Sequence, residues 1–376
     1  MKNVIVSDIV KQIDRLAPPD LAESWDPIGL SFGGLNQDVK RVLVALDVDK
    51  NTISEAKKHN IDLILTHHPA IFRAQKTLNQ EDARRKEYID LIKSDIAVYS
   101  AHTNLDAAKG GMNDWLADMI DIDKNNREIL SLRLNRGFKK IAVYVPDYAA
   151  EKVRQALHQV GAGQIGDYKD VSYTLEGYGR FTPQEGSNPT EGVVGKEEVI
   201  HEQRIEMMIK DEDVFRSIAA LKDAHPYEVP VFDLFTLKNQ EEAFGFGRVG
   251  TLKEPLTTEE LAKKVNHLFD VDGVRYGSVD PDKKHKRIAI LGGSGEKYYQ
   301  DALNKKATLY ITGDISYHGA QDMLRDGLDF IDAGHYMEAV SVSKLAEYLN
   351  NCKAAHSWDI EILESQAQKD VFNYLK

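Results

Sequence analysis

The apolar positions of this chain fall into short runs, which predict buried strands, and into amphipathic segments between them, which predict helices. In the first part of the chain the predicted strands are Arg41–Val48, Ile61–Leu65 and Ile96–Ser100. The predicted helices there are Ser7–Leu16 with Ser7 as its N-cap, Thr52–His59, Glu81–Lys93 and Asn113–Ile120. Strand and helix alternate, so this part of the chain indicates an α/β fold with a mainly parallel sheet.

The pattern changes after about Arg127. Four strands and two helices follow in the order β-α-β-β-α-β, which is the order of a ferredoxin-like unit. The predicted strands are Lys139–Val145, Val171–Tyr178, Glu202–Met208 and Val229–Thr236, and the predicted helices are Tyr148–Val160 and Asp211–Lys222. The polar segment Asn239–Ala243 then predicts a linker.

From Gly245 the α/β pattern resumes. The predicted strands are Gly247–Leu252, Val274–Val279, Arg287–Leu291, Leu309–Thr312 and Leu328–Asp332. The predicted helices are Thr257–Leu268, Lys297–Asn304, Ser316–Asp326 and Gly334–Leu349. We therefore predict one α/β domain, residues 1–130 and 245–376, interrupted by an inserted ferredoxin-like α+β domain at residues 136–240.

Charge and cysteine content narrow the functional classes. Lys and Arg number 48 against 60 Asp and Glu, a net charge of −12, which argues against binding to a nucleic acid polymer. The single cysteine, Cys352, excludes an intrachain disulfide framework and favours a reducing cytoplasm. No apolar segment is long enough for a membrane span or a signal peptide. We expect a cytoplasmic protein with a small-molecule substrate.

Two adjacent histidines, His67 and His68, follow the apolar run Ile61–Leu65. Pro69 ends the strand behind them, so both imidazoles lie at the carboxyl edge of the sheet, where open α/β sheets bind ligands. Neighbouring side chains in extended backbone point in different directions, so the pair suits two adjacent metals better than one. The alternative is an ordinary pair of loop histidines.

Two other strand ends carry metal-binding residue types. Asp106 follows the strand Ile96–Ser100, and His335 and Glu338 occur where a strand gives way to a helix. A spacing of three places His335 and Glu338 on one helix face. With the adjacent histidines, they form a donor set for two divalent ions, Zn²⁺ first, with Mn²⁺ or Fe²⁺ as alternatives. The competing interpretation is that His335 caps a helix and Asp106 begins one.

The segments THHP, SAHTNLD and GHYMEA together are similar to the type 2 GTP cyclohydrolase homologues, also called Nif-three-like dinuclear metal-binding proteins. ESWDPIGL, residues 23–30, resembles that family's N-terminal signature, with Pro27 where the family often has Asn. The resemblance covers residues 2–122 and 245–376. It implies an α/β fold, commonly a ring-shaped homohexamer with its metal sites facing an inner cavity. It also implies the metal ligands, which are His67, His68, Asp106, His335 and Glu338.

The same resemblance extends to the insertion and to the substrate. The segment HPYEVPVFDLF, residues 225–235, resembles the PII-like and CutA-like trimeric domains of longer family members. For the whole chain the family implies opening of the imidazole ring of GTP with release of formate. The same ligands would serve a phosphoesterase or an amidase, and a metal-binding regulator with a small-molecule-sensing insert is a non-enzymatic alternative.

Two further histidines are candidates for proton transfer. His102 lies four residues before Asp106, and His318 follows a predicted strand, so either is a candidate hydrogen-bond donor to a metal ligand or a candidate general acid or base beside the metals. The alternative for each is an ordinary loop or helix-end histidine. The segment Gly292–Gly295 predicts a tight turn first and a phosphate cradle second, and His225 is interpreted as structural or as part of an oligomer interface.

Overall fold

The computed structural model describes residues 3–375, with residues 240 and 241 described by their backbone only. Its helices are α1 Val6–Leu16, α2 Lys50–Lys58, α3 Ala83–Ser94, α4 Thr103–Ala107, α5 Met112–Met119, α6 Asp147–Gln159, α7 Val214–Ala224, α8 Thr258–Leu268, α9 Tyr299–Asn304, α10 Tyr317–Arg325 and α11 Val340–His356. Its strands are β1 Gly29–Phe32, β2 Arg41–Ala45, β3 Leu63–Thr66, β4 Ala97–Ser100, β5 Glu128–Pro146, β6 Tyr173–Phe181, β7 Glu198–Lys210, β8 Phe232–Thr257, β9 Arg275–Gly277, β10 Lys284–Ser294, β11 Leu309–Gly313, β12 Asp329–Asp332 and β13 Glu361–Glu364. The outermost positions of the predicted domain segments, residues 1, 2 and 376, lie outside the described residues.

The chain divides into two compact units. The first extends up to Leu134 and resumes at Phe244, and the second is Asn135–Ala243. Both connections lie inside long strands, β5 and β8. The predicted linker Asn239–Ala243 ends at the boundary between the two units, but it is part of strand β8 and not a loop. Its polar composition favours a loop, but a strand is held by backbone hydrogen bonds, which polar side chains leave intact.

The histidine strand β3 lies at the centre of a five-stranded sheet in the first unit. The strand order is β1-β4-β3-β2-β13, and β13, β2, β3 and β4 are parallel while β1 is antiparallel. All four residues of β3 are buried, because α2 and α3 cover one face of the sheet and α1 and α5 lie in the core on the other. Burial on both faces explains the continuous apolar run in the sequence.

A second set of strands in the same unit has the order β8-β10-β11-β12-β9. Strands β10, β11 and β12 are parallel, and β8 and β9 pair antiparallel at the two sides. Its buried side chains, such as Ile290 and Ile311, belong to the same hydrophobic core as Leu65 of β3. The carboxyl ends of two groups of parallel strands are therefore available to build one site.

The second unit contains β6, β7, β5 and β8 in that sheet order, with α6 and α7 between the strands along the chain. This is the predicted β-α-β-β-α-β succession. Alternate residues such as Val143, Ile205 and Met207 form its core with Val153 of α6 and Leu221 of α7. The unit thus buries one face of its sheet beneath its own helices.

Three local features differ from the sequence prediction. The N-cap of α1 is Ile5 rather than Ser7, because the carboxylate of Asp8 accepts the Ile5 N–H at 3.2 Å. Strands β1 and β13 were not predicted, since both are short strands at the edges of the sheet with mixed polarity. The predicted helix from Gly334 begins as a 3₁₀ turn, His335–Ala339, before α11. No helix among residues 3–375 is long and apolar enough to cross a membrane.

A buried ion pair fastens α5 to β8 within the first unit. Arg248, only 3% exposed, donates through Nε and Nη2 to the two carboxylate oxygens of Asp114, both at 2.8 Å. Its remaining N–H groups bind three backbone carbonyls, those of Ala108, Gly245 and Gly247. Such a fully bonded guanidinium tolerates burial, whereas removal of its carboxylate leaves an uncompensated charge.

Replacing Asp114 by Asn should lower the free energy of unfolding by about 3 kcal/mol, because Arg248 stays buried without its counter-charge. Urea denaturation measures the change. The matched control is Asp322→Asn, which breaks an exposed pair with Arg325 and should cost less than about 1 kcal/mol. Equal losses of unfolding free energy in Asp114→Asn and Asp322→Asn would show that burial of Arg248 does not increase the contribution of its ion pair to stability.

The same ion pair predicts a pH dependence. Burial alone would raise the pKa of Asp114, but Arg248 and the N–H of Gly110 hold that pKa below its usual range. The stabilisation is therefore complete above the ordinary aspartate pKa of about 3.9 and is lost as the pH falls below it. The difference in stability between wild type and Asp114→Asn should accordingly be constant near neutrality and shrink below about pH 4. A difference that grows on acidification would contradict this assignment.

Candidate metal centre

His67 is the most deeply buried member of the predicted ligand set. Its ring is 0% exposed, and Nδ1 lies 2.9 Å from the carbonyl oxygen of Ala101. Because a carbonyl only accepts, Nδ1 carries the proton and Nε2 presents its lone pair. That Nε2 has no hydrogen-bond partner among the described residues. It lies 3.6 Å from Asp106 Oδ1 and 3.7 Å from Glu338 Oε2.

Glu338 occupies the middle of the site. Its carboxylate is 3% exposed, and its Oε2 faces the Nε2 atoms of three histidines: His68 at 3.0 Å, His335 at 3.2 Å and His67 at 3.7 Å. His335 and Glu338 lie three residues apart on the 3₁₀ turn, where side chains at that spacing project in the same direction. The 3₁₀ turn therefore brings the two side chains together more directly than the predicted α-helix would.

The donor atoms form overlapping groups that share this carboxylate. One group is His67, Asp106 and Glu338, and another is His68, His335 and Glu338; within each group the donor atoms lie within 4.8 Å of one another. Glu338 therefore lies where two candidate groups of metal donors overlap. The structure thus brings all five predicted ligands together.

Most of the imidazoles are oriented by a carboxylate behind them. Asp47 accepts from Nδ1 of His68 at 2.8 Å, and Asp314 accepts from Nδ1 of His335 at 2.6 Å. Asp47 is itself held by Gln368, whose Oε1 accepts the Asp47 N–H at 3.0 Å. Partners of this kind fix the tautomer of metal-binding histidines and direct Nε2 toward the metal.

The pKa values show how strongly these charges interact. Burial, followed by the charge of Glu338, raises the pKa of Asp106 to about 8. Burial alone would lower the pKa of His68, but its bonds to Asp47 and Glu338 raise it to about 9. Asp314, followed by Glu338, raises the pKa of His335 to about 11. Protons on His68 and His335 therefore supply positive charge that a divalent cation would replace.

The residues fit a metal on independent chemical grounds. His67 Nε2 and Asp106 Oδ1 are both buried polar atoms without a hydrogen-bond partner among the described residues, and they lie 3.6 Å apart. Leaving two such polar atoms unpaired in a protein interior is costly. A cation between them would satisfy both, so the donor set fits a divalent metal.

The segment Gly292–Gly295, predicted as a tight turn, forms one wall of the site, but Gly292 to Ser294 belong to the end of β10 rather than to a separate turn. The pairing of β10 with β11 is irregular between Ile290 and Ser294. A Cβ at Gly293 would lie 2.6 Å from Glu338 Oε1, and the residue has φ of +63°, so both the available space and the backbone conformation favour glycine. The Gly292 N–H is donated to Asn113 Oδ1 at 3.0 Å and the Gly295 N–H to the Gly293 carbonyl at 3.0 Å. The end of β10 therefore makes room for the carboxylate of Glu338.

The two histidines predicted for proton transfer lie in different surroundings. His102 lines the same cavity as His68 and Glu338, its Nδ1 lies 3.0 Å from Asp26 Oδ1, and one of its ring nitrogens is within 4.8 Å of the donor atoms of the adjacent histidines. His318 is exposed on α10, contacts Gln321 and Tyr317, and is not among the residues that line the cavity.

Sequence reasoning missed three supporting residues. Asp26 lies in the ESWDPIGL segment and accepts hydrogen bonds from His102 and Thr103. Asp314 orients His335, and Gln368 holds the loop that contains Asp47. Asp26 and Asp314 stood inside conspicuous motifs, whereas Gln368 lies in a C-terminal segment with no motif around it.

The fold and donor set describe an α/β protein with a candidate metal centre at the carboxyl ends of its strands. A family model described as Duf34/NIF3 (NGG1p interacting factor 3) matches residues 4–371. The chain belongs to the DUF34/NIF3 family, which confirms the resemblance drawn from its motifs.

Relatives match the chain over its full length. It is 38% identical to a protein of Halalkalibacterium halodurans over 98% of both chains, and 38% identical to one of Bacillus subtilis over 100% of both. Both relatives are named "GTP cyclohydrolase 1 type 2 homolog". Among solved structures, a Bacillus cereus protein related to NIF3 superposes with a TM-score of 0.89 at 37% identity over 100% of both chains. The mixed α/β fold is therefore that of the family.

Replacing Gly293 by Ala should weaken metal retention at least tenfold, because the new methyl group displaces the carboxylate of Glu338. Equilibrium dialysis against Zn²⁺ followed by elemental analysis measures the effect. Gly327→Ala is the matched control, since Gly327 also has a positive φ, +81°, but has open space around its Cβ position. The control should lose a similar amount of stability and keep its metal affinity. If both variants retain metal equally, Glu338 does not bind it.

Proposed function

We propose that this protein is a hydrolase that depends on two divalent metal ions, with Zn²⁺ favoured over Mn²⁺ or Fe²⁺, and that its substrate is a purine nucleotide of the GTP class. The observation that carries the proposal is the shared Oε2 of Glu338, which faces the Nε2 atoms of three histidines beside two unpartnered acceptor atoms. The five residues that would hold the ions are His67, His68, Asp106, His335 and Glu338. When bound, the ions would act as Lewis acids and make water nucleophilic near neutral pH.

The cavity beside these ligands suits a planar, anionic substrate. It has a volume of about 480 Å³, which is in the range of small-molecule sites. Trp25 and Phe72 line it, are 55% and 52% exposed, and contact each other edge to face with ring centroids 5.9 Å apart. Aromatic rings that line a cavity offer surfaces on which a purine base stacks well.

Positive side chains line the same cavity. Arg84 and Lys297 are both lining residues, and their side chains would attract the phosphates of a nucleotide. Four carboxylates also line the cavity, those of Glu23, Asp47, Asp106 and Glu338, so binding of an anionic substrate would depend on the charge of the metal ions as well.

The names of the relatives refer to GTP cyclohydrolase, and the imidazole ring of GTP presents a carbon that water can attack. A first water opens the ring at this carbon and leaves a formamide, and a second water cleaves the formamide and releases formate. Each cleavage of a carbon–nitrogen bond requires a proton at the departing nitrogen.

His102 is the residue we assign to that proton transfer. Its Nδ1 donates to Asp26, so the ring is held with Nε2 free to exchange a proton with the substrate. Although burial raises the pKa of Asp26, hydrogen bonds from His102 and Thr103 keep that pKa below its usual range. Asp26 therefore stays ionised and holds His102 in one orientation.

A second candidate function is favoured by one observation. The inserted unit contains a cavity of its own, of about 820 Å³, lined only by residues 144–233. A metal-binding regulator, with a PII-like insert that senses a small molecule and a site that catalyses nothing, would also use this architecture. Ligand binding confined to the insert, without any turnover, would favour the regulator.

His102→Asn should lower formate release from GTP by about 10²–10⁴-fold while metal content stays unchanged, because a proton donor is lost but no ligand. His68→Ala should lose both metal and turnover. The matched control is His318→Asn, which alters an exposed histidine outside the cavity and should change neither quantity. Loss of metal from His102→Asn would make His102 a ligand. A wild-type protein that hydrolyses no purine nucleotide with Zn²⁺, Mn²⁺ or Fe²⁺ would overturn the catalytic proposal.

Trp25→Ala should raise KM for the nucleotide about tenfold or more and change kcat little, because stacking on one aromatic ring contributes about 1–3 kcal/mol to binding. Steady-state kinetics separates the two constants. Trp358→Ala is the control, since Trp358 stacks on His356 and does not line this cavity. An unchanged KM in Trp25→Ala would show that the base binds elsewhere.

A further inference from the structure

The inserted unit has one sheet face that its helices do not cover. Odd-numbered residues such as Val143, Ile205 and Met207 point into the core beneath α6 and α7. The intervening residues point the other way, and the cavity of about 820 Å³ lies against that second face. Its volume falls within the range of small-molecule sites.

Two glycines of β6 create the hollow. Gly177 is opposite Glu202 of β7 in the sheet, and Gly179 is opposite Ile200. A Cβ at Gly179 would lie 2.2 Å from the Glu202 carboxylate, whereas one at Gly177 would meet no atom within 4 Å. The missing side chains therefore let Glu202 lie across the sheet and leave an open floor beside it.

Hydrogen bonds hold the loop that follows β6 in place as one wall of the cavity. Thr190 Oγ1 donates to the carbonyl of Pro226 at 2.7 Å. The Asn188 N–H donates to the carboxylate of Glu228 at 3.0 Å. These bonds join the loop to the HPYE segment, so the loop forms an ordered wall of the cavity.

His225 positions Tyr227, another residue that lines the cavity. Its Nε2 donates to the carbonyl of Tyr144 at 2.9 Å, and its Nδ1 accepts the N–H of Tyr227 at 3.1 Å. Burial lowers the pKa of His225, which keeps the ring neutral and able to make both bonds. The role of this histidine is thus to hold Tyr227 beside β5.

The lining combines aromatic rings with an excess of negative charge. Its aromatic members are Tyr144, Tyr178, Phe181 and Tyr227, and its carboxylates are Glu176, Glu191, Glu202, Glu228 and Asp233. Two guanidinium groups also line it, but each has a carboxylate partner outside the lining. Arg204 pairs with Glu206 at 2.8 Å, and Arg180 pairs with Glu197 at 3.8 Å.

The charges of the lining carboxylates shift the pKa values of neighbouring groups. Burial and then the charge of Glu191 raise the pKa of Glu202. Burial, followed by the charges of Glu202 and Glu191, raises the pKa of Tyr227. A cation in this space would relieve the repulsion, and the neighbouring rings would contribute cation–π attraction.

We propose that this cavity binds a small organic cation, an amine or a quaternary ammonium compound, with its charge between Glu202 and Glu191 and its carbon atoms against Tyr144, Phe181 and Tyr227. The site is separate from the metal centre, and the proposal does not depend on hydrolase activity. Charge complementarity selects this occupant over an anion such as a nucleotide, which the five carboxylates would repel.

Calorimetric titration of the full-length protein with choline and with spermidine tests the proposal. At least one of the two should bind, and the neutral isostere of choline, 3,3-dimethylbutan-1-ol, should bind at least tenfold more weakly than choline. Glu202→Gln should weaken binding of the cation at least tenfold. Glu185→Gln, an exposed position of the same loop that does not line the cavity, is the matched control and should bind like wild type.

A second variant tests the proposal independently of whether Glu202→Gln folds correctly. Gly177→Leu adds a side chain to the floor of the cavity at a position where a new Cβ meets no atom within 4 Å, so it should abolish binding with little change in the thermal unfolding midpoint. Failure of both cations to bind, equal binding of the neutral isostere, or unchanged binding in Gly177→Leu would overturn the proposal. A change in oligomeric mass of Gly177→Leu by light scattering would also overturn it, because the face would then be covered by another copy of the chain.

Discussion

The candidate metal centre of the first unit is organised around a buried carboxylate that faces three imidazoles. Glu338 is almost completely excluded from solvent, and a charge in that position is tolerated only where positive charge or a metal compensates it. The compensation comes from side chains on different strands: the adjacent histidines after β3 and His335 on the turn after β12. Parallel strands place their carboxyl ends at one edge, so residues distant in sequence meet there.

The supporting structure maintains this meeting point. Gly293 leaves the space that the carboxylate occupies, and Asp47, Asp26 and Asp314 hold the rings of His68, His102 and His335 in single orientations. Gly293 lies at the end of β10, and the other residues lie on segments that follow a strand or on the segment before β1, so the rigid sheet fixes the loops while the loops carry the chemistry. The pKa shifts of His68 and Asp106 are consequences of the same crowding of charge.

Much of this arrangement could be predicted from the sequence, because the signals were local. The apolar run before His67 predicts a buried strand, Pro69 predicts its end, and the spacing of His335 and Glu338 predicts side chains that point together. Partners that meet only in three dimensions could not be predicted: Gln368 has no motif, and the pairing of Asp26 with His102 spans 76 positions. The polar segment 239–243 was misinterpreted for a related reason, since the hydrogen bonds that make it a strand come from a distant part of the chain.

The most direct test of the account is electron paramagnetic resonance of the full-length protein loaded with two equivalents of Mn²⁺. If Glu338 bridges two ions, the spectrum should show a pair of exchange-coupled Mn²⁺ ions, and Glu338→Gln should convert it to signals of isolated ions or remove them. A wild-type protein that binds a single Mn²⁺, or that gives only isolated-ion signals when two are bound, would contradict the shared-carboxylate centre.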